Sequence, residues 1–145
     1  MYLYKPANLL LTGAIDDVWA GLDGSLFIVD YKSTSKKEEV SIDADWQISY
    51  KRQMEIYQWL FRKNGFNVSS VGYFVYCNGI TDKDKFDARL DFNIKIIPYT
   101  GDDNWIESTV TDMHKCLMSD TIPASGQDCD FCKYADGRKS VEREK

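Results

Sequence analysis

No stretch of this 145-residue chain approaches the apolar length needed to span a bilayer, and the start, MYLYKPANLLLTG, lacks the basic region, apolar run and small-residue cleavage site of a signal peptide. The expected compartment is therefore cytoplasmic. Basic charge is not in excess either: the net charge of -5 excludes a protein that simply coats nucleic acid through Lys and Arg. It leaves room for a hydrolytic site, because a site that collects divalent cations concentrates carboxylates. Cysteine is sparse and uneven. Cys77, Cys116, Cys129 and Cys132, with no secretory signal, make a disulfide framework a poor expectation. There is no internal repeat and no low-complexity block.

The remaining composition, 43% hydrophobic and 14% aromatic, supplies enough apolar surface to offset conformational entropy, and the length suits one core. Leu9-Leu10-Leu11 leads through Gly13-Ala14-Ile15-Asp16 to Val18-Trp19-Ala20, which reads as a strand with a bend. Gly21-Leu22-Asp23-Gly24 is a hairpin turn into the apolar run Leu26 to Val29, a buried strand. Ser33 to Asp43 is a polar loop. From Asp45 to about Asn64, Trp46, Tyr50, Met54, Tyr57, Leu60 and Phe61 fall on one helical face, with Gly65 placed to stop the helix.

Val68 to Asn78 is β-branched and aromatic, ending in the turn pair Asn78-Gly79. Phe86, Ala88, Leu90, Phe92, Ile94 and Ile96 alternate with polar residues, predicting a strand that turns these side chains to the core and ends at Pro98. Asp102 or Asp103 could cap a second helix carrying Ile106, Val110, Met113 and Leu117. Residues 1–134 read as one domain and 135–145 as a polar, flexible tail. The order of elements implies an α/β arrangement with a mixed sheet covered by helices.

Two carboxylates end apolar strands: Asp16 after Gly13-Ala14-Ile15, and Asp30 after Leu26 to Val29. A carboxylate buried there needs a cation or metal as partner. Lys32, two residues beyond Asp30 in a strand, shares its face, so Asp-x-Lys points a carboxylate and an ammonium into one site. Taken alone, such a tripeptide reads as an ordinary strand-end ion pair, with Asp16 and Asp17 as turn residues. Gln53 and Tyr57, four apart on the next helix, turn an amide and a phenol toward the sheet. Asp16, Asp30 and the carbonyl of Tyr31 are oxygen donors suited to a hard cation. Lys32 could position or deprotonate an attacking water, or stabilise developing charge.

Gly13-x-x-Asp16, Asp30-Tyr31-Lys32 and Gln53-x-x-x-Tyr57, in this order and spacing over residues 9 to 78, resemble the signature of RecB-like exonucleases within the PD-(D/E)xK superfamily. The resemblance implies a restriction-endonuclease-like core, a central mixed β-sheet flanked by helices, and metal-dependent hydrolysis of DNA, with Mg²⁺ or Mn²⁺ on Asp16 and Asp30. Lys32 would then be catalytic, while Gln53 and Tyr57 would organise the site and contact DNA. Lys36, Lys37, Lys51 and Arg52 flank the site and could track phosphates, although such charges are also compatible with plain solvation.

Two departures from the family pattern shape the expectations. Many relatives carry a helix before the first strand that adds a His or Glu ligand, whereas a dozen residues precede Gly13 here. The alternative is therefore a non-catalytic or partner-dependent nucleic-acid-binding module, with a helicase or other protein supplying missing elements. Cys129-Asp130-Phe131-Cys132 resembles part of the iron-sulphur motif of cluster-bearing relatives. The upstream cysteine is missing, Cys77 falls in a core strand, and a zinc site would have to draw on Cys116 or the single histidine, His114. The ligand count speaks against a cluster or Zn there. Repair, phage DNA processing and mobile-element defence all use this fold, so the fold leaves the pathway open.

Overall fold

The computed structural model describes residues 1–82 and 85–143. A short hairpin comes first: β1 (Tyr2–Tyr4) pairs antiparallel with β2 (Leu9–Leu11) around a 3-10 turn containing Pro6, and Asn8 closes it in the left-handed region at φ 50°. The main sheet has the order β3 (Asp17–Ala20), β4 (Leu26–Thr34), β5 (Val71–Gly79), β6 (Phe92–Thr100). β4 and β5 are parallel and the outer pairs antiparallel, so the sheet is mixed.

The predicted turn at residues 21–24 joins β3 to β4: Gly24 takes φ 78° and Asp23 accepts from both the backbone and the hydroxyl of Ser25. The parallel step from β4 to β5 needs a long crossover, supplied by α1 (Ile48–Lys63). Gly65, at φ 86°, ends it as expected.

Helix α1 lies on the sheet face carrying Ile28, Asp30, Phe74 and Tyr76, and buries Met54 and Leu60. Two polar side chains go in with them. Glu55 accepts hydrogen bonds from Tyr99 Oη (2.6 Å), Trp105 Nε1 (2.7 Å) and the backbone of Asp102 (3.2 Å). Gln58 donates to the carbonyls of Ser69 and Ser70. These partners allow burial of groups that would otherwise cost several kilocalories. A second cluster joins the hairpin to α1 and to α2 (Ile106–Leu117): Tyr4, Ala7, Trp59, Leu60, Ile106 and Val110.

Several expectations change. The alternating segment forms strand only from Phe92 onward, and Pro98 sits inside β6, opposite Tyr73, rather than ending it. β6 is an edge strand, where a missing donor is tolerated. Phe92, Ile94 and Ile96 face away from α1 and are more than half exposed, while Ile97 and Tyr99 reach the core. Trp46, expected in the core, is 56% exposed, and Met113 and Leu117 of α2 are exposed as well. The segment read as a polar, flexible tail from Ala135 carries helix: α3 spans Asp130–Arg143, exposed along nearly its whole length, and residues 144 and 145 of that tail lie outside the described residues.

Candidate active site

Alternation along two adjacent strands sorts the carboxylates. Asp17 is paired with Val29 across β3 and β4, so continuing the register one step sets Asp16 beside Asp30 on the face covered by α1. Asp16 Oδ2 accepts the backbone N–H of Tyr31 at 2.9 Å, which ties the loop bearing it to β4. Asp17 falls on the opposite face, where it accepts from Tyr31 Oη (2.8 Å), Val18 N (2.7 Å) and Trp19 Nε1 (3.2 Å). The phenol of Tyr31 and its neighbours hold the Asp17 carboxyl below the usual carboxylate range. The Asp16-Asp17 doublet is therefore split, one member turned to the site and one bracing it from behind.

Asp30 is 2% exposed. Its Oδ2 lies 2.5 Å from Lys32 Nζ, a charge-to-charge contact in which that oxygen accepts no aligned hydrogen bond. Burial pushes the carboxyl above its ordinary range; Lys32 pulls against this, and the neighbouring charge of Asp16 adds to the rise. Lys32 also donates to Gln53 Oε1 at 3.1 Å and sits 4.3 Å above the ring of Tyr50. Gln53 Nε2 in turn donates to Tyr57 Oη at 3.0 Å. Since an ammonium can only donate, the amide oxygen of Gln53 must face Lys32 and its NH2 must face Tyr57.

Gly13 completes the arrangement by its lack of a side chain: a Cβ there would stand 2.8 Å from Tyr57 Cε1. The strand-to-strand loop can therefore lie directly on the phenol. Gly13, Ile15, Tyr57, Phe61 and Phe66 line an apolar pocket at this end of the site.

Asp16, Asp30, Lys32, Gln53 and Tyr57 thus come together. Lys36 lies at the margin, its ammonium 5.5 Å from the Trp46 ring and its backbone held by Asn78; Lys37 is exposed on the same loop. Lys51 and Arg52 are not brought to Lys32: they lean over the rings of Tyr99 and Trp105 on another flank of α1. Tyr50, Trp46 and the bracing Asp17 escaped the sequence reading as site residues, although Tyr50 and Trp46 continue the Tyr57–Gln53 face at helical spacing. Cys129 and Cys132 adjoin one another at the start of α3, where the Cys132 backbone N–H lowers the Cys129 thiol. Cys116 is exposed on α2, Cys77 lies in β5, and His114 is a half-buried α2 residue. Among the described residues no three His, Cys, Asp or Glu side chains form a metal-holding group.

The chemistry of the two neighbouring carboxylates, Asp30 and Asp16, nevertheless suits a hard divalent cation of low protein ligation, which would have to share Asp30 with the Lys32 ammonium. With a lysine adjacent, the arrangement can hold an anion next to a cation and fix a water between them.

Against known proteins, a model of the PD-(D/E)XK nuclease superfamily matches residues 3–136. No curated protein and no solved structure matches the chain.

Proposed function

The chain belongs to the PD-(D/E)XK nuclease superfamily, and from that premise we propose that it is a Mg²⁺- or Mn²⁺-dependent deoxyribonuclease acting from DNA ends, as RecB-like exonucleases do. The observation that carries the reading is the continuous contact from Asp30 through Lys32 and Gln53 to Tyr57, which orients one ammonium beside a buried carboxylate.

Asp16, Asp30 and the Tyr31 carbonyl would hold the cation. A divalent ion there supplies Lewis-acid polarisation of the phosphate and a more acidic water. Lys32 places positive charge next to the phosphate oxygens as they gain charge in the transition state, and keeps its position because Asp30, Gln53 and the Tyr50 ring surround the ammonium. Gln53 and Tyr57 are positioning residues for Lys32. A helicase or other partner that feeds in a strand or adds a ligand belongs to the same proposal.

The test is cleavage of end-labelled linear and closed circular DNA with Mn²⁺ by the parent chain, Asp30→Ala and Lys32→Ala. Linear-only cleavage abolished by both substitutions supports the exonuclease reading. Cleavage of circles moves it to an endonuclease, and a parent that binds divalent metal without cutting either DNA moves it to a partner-dependent or binding module.

A further inference from the structure

Trp46 is an aromatic side chain that the fold leaves largely exposed close to the candidate site. It sits in the 3-10 turn Asp45–Gln47 ahead of α1, 56% exposed and outside both hydrophobic clusters. The turn is firmly anchored. Gln47, 2% exposed, accepts from Ala44 N (3.0 Å) and donates to the Ser41 carbonyl (2.7 Å) and to Tyr76 Oη (3.1 Å). Across from it, Asn78 pins Lys36 through a reciprocal pair of amide hydrogen bonds, 2.8 and 2.9 Å, to the lysine's backbone. An indole this exposed on a backbone this fixed is a preorganised surface rather than a side chain that failed to pack.

Its neighbours give the surface a direction. Trp46 meets Tyr50 edge-on at 5.4 Å, and Tyr50 lies beneath the Lys32 ammonium, so the indole is one ring removed from the catalytic lysine. Lys36 Nζ stands 5.5 Å from the indole centroid. A flat π-face with a cation beside it, next to a phosphate-handling site, is the composition that binds a nucleotide of a single strand: the base stacks on the ring and the phosphate meets the ammonium. The interior of a duplex cannot use it, because its bases are already stacked on one another. Asp43 and Asp45 on the same segment place negative charge close by, so the affinity has to come mainly from the ring.

We propose that Trp46, with Lys36, is a stacking platform for an unpaired base of single-stranded DNA adjoining the phosphate presented to Lys32. This rests on the reading of the site as one that cleaves DNA and adds the strand state of its substrate.

The experiment measures binding without turnover. Fluorescence anisotropy follows a labelled oligodeoxythymidylate with Ca²⁺ as the cation, for the parent, Trp46→Ala and Trp46→Phe. Trp46→Ala should weaken binding roughly 5- to 150-fold, the range for loss of one base–aromatic stack, while Trp46→Phe keeps most of the affinity. Abasic sites scanned through the oligonucleotide should reproduce the loss at one position in the parent and add nothing in Trp46→Ala. Covalently closed circular duplex should bind the parent and Trp46→Ala alike. Equal single-strand affinity of the parent and Trp46→Ala, or a parent indifferent to every abasic position, overturns the platform; the abasic scan does so even if the alanine variant does not fold. A parent that cleaves DNA yet shows no Trp46 dependence defeats this inference alone, whereas one that stacks a base but never cleaves defeats the nuclease reading alone.

Discussion

Lys32 donates to Gln53 Oε1 at 3.1 Å, and the same amide donates from its other end to Tyr57 at 3.0 Å. The two contacts make Gln53 a spacer of fixed orientation between a helix phenol and a strand lysine. Replacing Gln53 with Ala frees the ammonium to follow Asp30 alone. Activity on linear DNA should fall about 10- to 100-fold, mainly in kcat, as for other residues that orient a functional group. Tyr57→Phe removes only the far acceptor and should cost less. Steady-state kinetics with Mn²⁺ on both variants checks the order.

Asp30 is buried in a place that disfavours its charge even with Lys32 beside it. Asp30→Asn should therefore abolish cleavage and leave the metal-free protein at least as stable as the parent. Divalent cation should raise the melting temperature of the parent and leave that of Asp30→Asn unmoved. Thermal melts with and without EDTA read both effects. A large loss of stability in Asp30→Asn would mean that the ion pair outweighs burial.

The sign of the pH dependence follows from the same shift. The carboxyl of Asp30 is raised, so folding favours its protonated form. That contribution is fully present below the ordinary carboxylate range and is lost as pH rises through the raised value. The metal-free parent should therefore lose an increment of stability across that window that Asp30→Asn does not lose. Cation binding requires the ionised form, so activity should rise across the same window, and higher metal concentration should draw the acid limb to lower pH. Melting temperature against pH in EDTA, paired with initial rates at two metal concentrations, tests both signs.

Gly13→Ala should push Tyr57 out of place, because the added Cβ would meet its ring at 2.8 Å. The expected cost is about 1–3 kcal/mol of stability, typical of overpacking, with a fall in activity as Gln53 loses its partner. Tyr57→Ala in the same chain removes the obstacle, so the double variant should be less destabilised than the two single changes summed. Urea unfolding of the four proteins measures the coupling.

Residues with one strong local reason to be where they are were legible in the sequence. Period-two alternation puts Asp30 and Lys32 on one face, the turn chemistry of residues 21–24 sets the β3–β4 hairpin, and helical spacing puts Gln53 and Tyr57 together. Those facts, with the order of the motifs, determine the fold class and which side chains gather at the candidate site before any coordinate is known.

What depended on which face of the sheet receives a helix was not legible. Phe92, Ile94 and Ile96 alternate as a core strand should, yet α1 covers the other side, and Pro98 is tolerated because β6 ends the sheet. Burial of Glu55 in α1 required donors from Tyr99, Asp102 and Trp105, brought by chain more than forty residues later. Trp46 carries the helical period of its neighbours, but the turn anchored by Gln47 holds it outside the core. Periodicity states which side chains travel together; only packing against the rest of the chain decides whether they meet a core, a ligand or water.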